Sequence, residues 1–194
     1  LVHPSSIPGG SYCGTFGEGL KKWINLLSIN KIRYWQFLPL TPADQTGSPY
    51  SSPSSFAINP WFLDVNELIN CGFISENQEI SKISSEGAKS DFFDFKIADY
   101  LSVLIENDIL DHWNNQSEII RNDFYDWCRF NPWIEDYAVF MVLKKEFDNK
   151  AWWEWPEVFR LKEEESVRNF INSRVREILA KKLFQWHLNR QWIN

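Results

Sequence analysis

From Phe16 to Asn30, apolar Leu20, Trp23, Ile24 and Leu27 recur at helical spacing among polar positions, which predicts an amphipathic helix. The preceding stretch, "LVHPSSIPGG", opens as a short strand that Pro4 cuts off and continues as a turn-rich loop. The following stretch, "IRYWQFLPL", has the aromatic and branched enrichment of a strand buried on both faces, ended by Pro39 and Pro42. Strand, loop, helix, strand and loop together make a βαβ unit. In such units ligands bind at the carboxyl ends of the strands, so chemistry is to be sought in the loops that follow them.

Further along, the apolar pattern is helical. Ile97, Leu101, Leu104, Ile105 and Ile109 line one face of "DFKIADYLSVLIENDILDHWNN", and the pattern repeats from Trp133 through Phe147. The last segment, "SVRNFINSRVREILAKKLFQWHLNRQWIN", has neither Gly nor Pro and carries Phe170, Val175, Ile178, Leu179, Leu183 and Trp186, which predicts one long helix. Between Ser75 and Ser90 the chain is polar and free of rings, as expected of an exposed loop or a short helix start. "NKAWWEWPEVFR" reads as a turn with a Trp cluster, held by Pro156.

Charge divides the chain in the same place as the pattern does. Residues 1–63 hold four Lys or Arg and two acidic residues, Glu18 and Asp44, whereas 64–194 hold sixteen and twenty-four, so an organisational boundary is expected near Asp64 to Asn70. The formal net charge of -6 argues against nucleic acid or an anionic membrane surface as the main partner, since both attract basic patches. No apolar run is long enough for a membrane span. Cys13, Cys71 and Cys128 are odd in number and far apart, and His3, His112 and His187 lack ligand spacing. Reduced thiols, a soluble cytoplasmic setting, no metal and no cofactor are therefore expected.

Two carboxylates about 5–5.5 Å apart would mark a retaining glycosidase or transglycosidase. In the loop-rich third only Glu18 and Asp44 are available, and each has a plainer role, at a helix N-terminus and in a turn after Pro42. The later carboxylates are dispersed among Lys and Arg on helix faces. No G-x-S-x-G elbow accompanies Ser48, Ser51, Ser52, Ser54 and Ser55, and "GGSYCGTFGEG" matches no phosphate-loop pattern. What remains is a set of hydroxyls, Asn59, Gln36 and aromatic rings at strand ends. That mixture suits a neutral polyhydroxylated ligand, and the eleven Trp residues, mostly core by their size, are compatible with stacking on sugar rings.

Four segments in order carry a family resemblance. These are "LVHPSSIPGGSYCGTFGEGLKKWINLL", "YWQFLPLTPADQTGSPYSSPSSFAINPWFLDVNELINCGFI", "IEDYAVFMVLKKEFDNKAWWEWPE" and "FQWHLNRQW". Together they resemble the 4-alpha-glucanotransferases, also called amylomaltase or disproportionating enzyme. The resemblance implies an α/β fold, the N-terminal part of a (β/α)8 TIM barrel: residues 1–66 as the first two βα units with the substrate-binding loop, and 67–194 as a mostly helical insertion with an incomplete return to the barrel. It implies transfer of α-1,4-glucan segments between maltooligosaccharides through a covalent glycosyl intermediate. The catalytic carboxylates of the family lie on later strands, so none is expected here and the 194-residue chain is expected to be inactive alone.

Ser48 and Tyr50, in "SPY", match family residues that line the donor-sugar subsites, Tyr50 beside the scissile sugar and Ser48 on a sugar hydroxyl. Asn59 is expected to hold the loop. Some members carry an aromatic residue where this chain has Gln45, so an accessory glucan site at that position is not expected. The compartment implied is cytoplasmic, or the plastid stroma in a plant or alga. A non-catalytic carbohydrate-binding or interaction module is the alternative function, and two strands without barrel neighbours are expected to leave apolar faces exposed.

Overall fold

A computed structural model describes residues 1–10, 13–44, 46–87 and 95–193. Nine α-helices are assigned among them: α1 Glu18–Ile29, α2 Val65–Asn70, α3 Gln78–Gly87, α4 Phe95–Trp113, α5 Glu118–Phe130, α6 Trp133–Glu146, α7 Glu157–Arg160, α8 Glu164–Ser173 and α9 Val175–Ile193. Short 3-10 turns occupy Pro4–Ser6, Pro60–Phe62 and Trp152–Glu154.

The core is organised around α9. It packs against α4, α5, α6, α8 and the Pro60–Phe62 turn, and it is buried continuously from Leu183 to Leu188. A helix surrounded in this way must present apolar side chains on every side rather than on one stripe. Leu183, Phe184, Trp186 and Leu188 do so, and Trp186 meets Trp113 and Phe124 edge-on at ring-centroid distances of 6.2 and 5.6 Å. Ile105 and Ile109 of α4 join the same cluster, as do Phe16, Leu20 and Phe62 from the first third.

The two segments expected as strands form no strand among the described residues, and the first holds the Pro4–Ser6 turn. The Val2 amide donates to the Gln36 carbonyl at 3.1 Å and the Trp35 indole to the Val2 carbonyl at 2.8 Å. A strand requires a ladder of such bonds along paired residues, and these isolated contacts do not provide one. Nor is the second segment buried on both faces: Ile32 is 51% and Tyr34 91% exposed, and Ile24, Leu26 and Ile29 of the adjoining α1 are exposed as well. The expected exposure of apolar faces is thus observed.

The helix from Phe16 to Asn30 corresponds to α1, and those seen in the Ile97–Ile109 and Trp133–Phe147 patterns to α4 and α6. The long terminal helix is instead two. Arg174 leaves the helical conformation at φ −126°, ψ 28°, and the chain turns so that α8 leans Phe170 on Phe159 while Arg174 pairs with Glu146 at 3.0 Å. No Gly or Pro marks this break. Gln78–Gly87, within the stretch expected as a loop or a helix start, is a full helix. Helix α5, which is not among the expected helices, carries its own sequence signal: Ser117 caps it by accepting from the Ile120 amide, and Ile120, Phe124, Trp127 and Cys128 face inward at helical spacing.

Close backbone approach fixes the entry to α1. Gly14 donates to the Ser5 carbonyl at 2.8 Å, and a Cβ at this position would lie 1.9 Å from the Pro4 carbonyl oxygen and 2.6 Å from that of Ile7. Neither backbone oxygen can rotate away as a flexible side chain would. Gly14→Ala is expected to cost about 2 kcal/mol, in the range of overpacking substitutions. Urea unfolding measures it, and an unchanged midpoint would mean that the loop shifts freely.

Candidate functional site

The loop from Thr41 to Ile58 is closed at its base, where the Asn59 amide donates to the Leu40 carbonyl at 2.8 Å. Compact loops with joined ends hold their shape through their own side chains, and here the hydroxyls do this. Asp44 Oδ1 accepts from the Thr46 amide at 2.8 Å, the Thr46 hydroxyl at 2.6 Å and the Ser48 amide at 3.1 Å. The Thr46 hydroxyl above all, with the two amides, holds the Asp44 carboxyl below the usual carboxylate range. Gly47, at φ +79°, completes the turn, and the Thr41 hydroxyl donates to the Pro49 carbonyl at 2.9 Å.

A second turn follows directly. Ser52 Oγ donates to the Ser54 carbonyl at 2.7 Å, and Ser54 Oγ accepts from the amides of Phe56 and Ala57 at 3.2 and 3.1 Å. Much of the hydroxyl richness thus satisfies backbone groups within the loop, and those oxygens serve its shape before any ligand. Ser48 is half-buried, with its Oγ accepting from the Tyr50 amide at 3.3 Å, a bond that does not use its O–H donor. The Tyr50 ring stands 72% exposed. These two residues are therefore brought together at one turn, with a polar handle beside a free aromatic face.

The other candidates separate from them. Asn59 is buried and caps the Pro60–Phe62 turn by accepting from the Trp61 amide at 3.1 Å, a structural task. Glu18 lies in the first turn of α1, beside Lys22 at 3.7 Å. His3 bonds Ser5 at 2.7 Å and the Pro39 carbonyl at 3.4 Å. Gln45 lies outside the described residues.

What holds the loop from below is not visible in the sequence pattern. Gln185 of α9 accepts from the Ile58 amide at 2.9 Å and donates to the Ile58 carbonyl at 2.8 Å; Gln191 does the same for Asp64 at 2.8 and 2.9 Å. Both glutamines are buried, and each satisfies the backbone amide and carbonyl of one residue with a single amide group. Asp64 in turn accepts from the Thr15 hydroxyl at 2.7 Å and caps α2 through the Glu67 amide at 3.0 Å, so the starts of α1 and α2 are tied together. On the outer side, Phe56 of the loop stacks on Trp133 of α6, centroids 6.0 Å apart and planes 20° apart.

Residues 2–194 match the model of a family described as 4-alpha-glucanotransferase. The 4-alpha-glucanotransferase of Synechocystis sp. is 28% identical over 193 residues, covering 99% of this chain and 38% of that protein. That of Streptococcus pneumoniae is 29% identical over 196 residues, covering 100% of this chain and 38% of the relative. A solved amylomaltase from Streptococcus agalactiae, in complex with acarbose, superposes with a TM-score of 0.87 at 26% identity, covering all of this chain and 39% of that one. The chain spans about two fifths of the length of the relatives it matches.

Proposed function

The chain belongs to the 4-alpha-glucanotransferase family, and from that premise we propose that it supplies one side of a glucan cleft, holding an α-1,4-glucan at Ser48 and Tyr50 for transfer between maltooligosaccharides. The observation that carries this reading is the exposed Tyr50 ring beside the half-buried Ser48 hydroxyl on a loop closed by its own side chains. A sugar presents C–H faces and hydroxyls together, and this pair offers a surface for each. The acarbose held by the Streptococcus agalactiae amylomaltase supports a ligand of oligosaccharide type.

Retaining glycosyl transfer needs a nucleophilic carboxylate and a second carboxyl as acid/base. Asp44, the acidic residue of this loop, has one carboxyl oxygen committed to three donors and is held ionised by them. It serves as a turn support. The family resemblance puts the reacting carboxylates on barrel strands outside this chain, against which the 32–40 segment would pair as a strand of the TIM barrel. Burial pushes the Cys13 and Cys128 thiols up to about 12 and about 11, which keeps both protonated at neutral pH; the compartment proposed with this function is the cytoplasm or the plastid stroma.

Calorimetric titration with maltoheptaose tests the reading. Saturable binding is expected, weakened about tenfold by Tyr50→Ala, the loss of about 1.4 kcal/mol of contact. Binding unchanged in that variant would remove Tyr50 from the site. Incubation of the 194-residue chain with maltotriose is expected to yield no glucose or longer oligomers; their production would overturn the assignment of catalysis to other segments.

A further inference from the structure

A cleft of about 820 Å³ opens between the outer part of the loop, α6 and the α7–α8 hairpin. Its inner walls are apolar, from Val139 and Phe140 of α6 to Ile171 of α8, while Glu135, Asp136, Lys162 and Arg168 stand along it. The stacked Phe56 and Trp133 rings form one end. Phe56 is 70% exposed, although its amide is tied to Ser54 Oγ, so the loop holds an unburied ring in place. Trp133 is fixed from beneath: its indole donates to Asn131 Oδ1 at 3.3 Å, and Trp127 and Tyr137 meet it edge-on at 6.1 and 6.0 Å.

We propose that this cleft is a second glucan-binding site, in which a maltooligosaccharide lies against the Phe56–Trp133 ring pair with its hydroxyls toward the charged edge. The inference rests on the glucan reading of Ser48 and Tyr50. Three observations choose this ligand. Rigid, solvent-facing aromatic rings suit the C–H faces of pyranoses and lose little conformational freedom on binding. The edge residues carry both signs of charge, which favours neither an anion nor a cation but offers donors and acceptors to a neutral polyol. Phe56 also lies on the same closed loop as Tyr50, six residues on, so one loop presents both exposed rings to the ligand class proposed for Tyr50.

The test is a titration of the full chain with maltoheptaose, followed by the ¹⁵N-indole signal of Trp133, assigned by Trp133→Phe, and in parallel by the Tyr50 ring signals. Both are expected to move saturably. Phe56→Ala, a change at an exposed side chain, is expected to weaken the Trp133 response at least fivefold while the Tyr50 response persists, and Tyr50→Ala, which removes the Tyr50 signals, is expected to leave the Trp133 response saturable. A Tyr50 response with a still Trp133 signal overturns the second site and leaves the proposed function standing. Stillness of both signals overturns both readings. A Trp133 signal that answers an apolar probe such as anilinonaphthalene sulfonate but not maltoheptaose also overturns the second site.

Discussion

Replacing Gln191 by Met is expected to lower the stability of the chain by about 3 kcal/mol, although the side chain keeps its length and gains apolarity. The amide of Gln191 closes two hydrogen bonds, one from the Asp64 amide and one to the Asp64 carbonyl, and both partners are buried. Removing it leaves a buried donor and a buried acceptor unpaired, and each orphan costs about 1–3 kcal/mol. The thioether accepts weakly and donates nothing, so it cannot replace the pair. Because Asp64 also receives the Thr15 hydroxyl and the Glu67 amide, the loss should loosen the joint between α1 and α2. Urea unfolding reads the effect as a lower midpoint at unchanged slope. A loss below about 1 kcal/mol would mean that water reaches the freed groups. Gln185→Met is expected to act in the same direction through Ile58, and there the maltoheptaose affinity of the loop should fall as well.

Acidification is expected to destabilise the chain steeply through His187. Burial, with the Arg190 cation adding to it, pushes this imidazole down to about 3 from an ordinary 6.5. Phe73 and Trp186 enclose it at 4.5 and 4.7 Å, and the Arg190 guanidinium lies over both of those rings. Between those two pH values the unfolded chain binds the proton and the folded chain does not. Stability therefore rises with pH across the window: the contribution is fully present above 6.5 and is lost progressively as pH falls toward 3. The slope from this residue approaches about 1.4 kcal/mol per pH unit as an upper bound. His187→Phe should flatten the stability profile between pH 6.5 and 3, whatever it does to stability at neutral pH. Parallel profiles for the two chains would show that His187 opens to water before it titrates.

Legibility differed by the range of the interaction involved. α1, α4 and α6 were readable because a periodic apolar face is a local property, and α5 could have been read the same way from Ser117 and the Ile120–Phe124–Trp127 spacing. The break at Arg174 could not, because it depends on Phe159 and Glu146 drawing the chain aside. The two expected strands failed for the opposite reason. Their composition is strand-like, but a strand exists only with a partner ladder, and the described residues supply isolated bonds at Val2 and Leu40. Ser48 and Tyr50 were singled out from the resemblance of "SPY", and the structure adds that Ser48 is half-buried and Tyr50 exposed. The pairing of Phe56 with Trp133 was hidden because the two are 77 positions apart, although Phe56 lies in the second of the resembling segments.

By itself the sequence determined the family through ordered motifs, the helical character of the later two thirds through period, and a neutral, hydroxyl-bearing loop through composition. Only the tertiary structure decided which hydroxyls are spent on the loop itself, which rings remain free, and that two glutamines of α9 satisfy the backbone of Ile58 and Asp64. Periodicity reports which face of an element is apolar, whereas hydrogen-bond satisfaction depends on groups as far apart as Ile58 and Gln185, which no local pattern can pair.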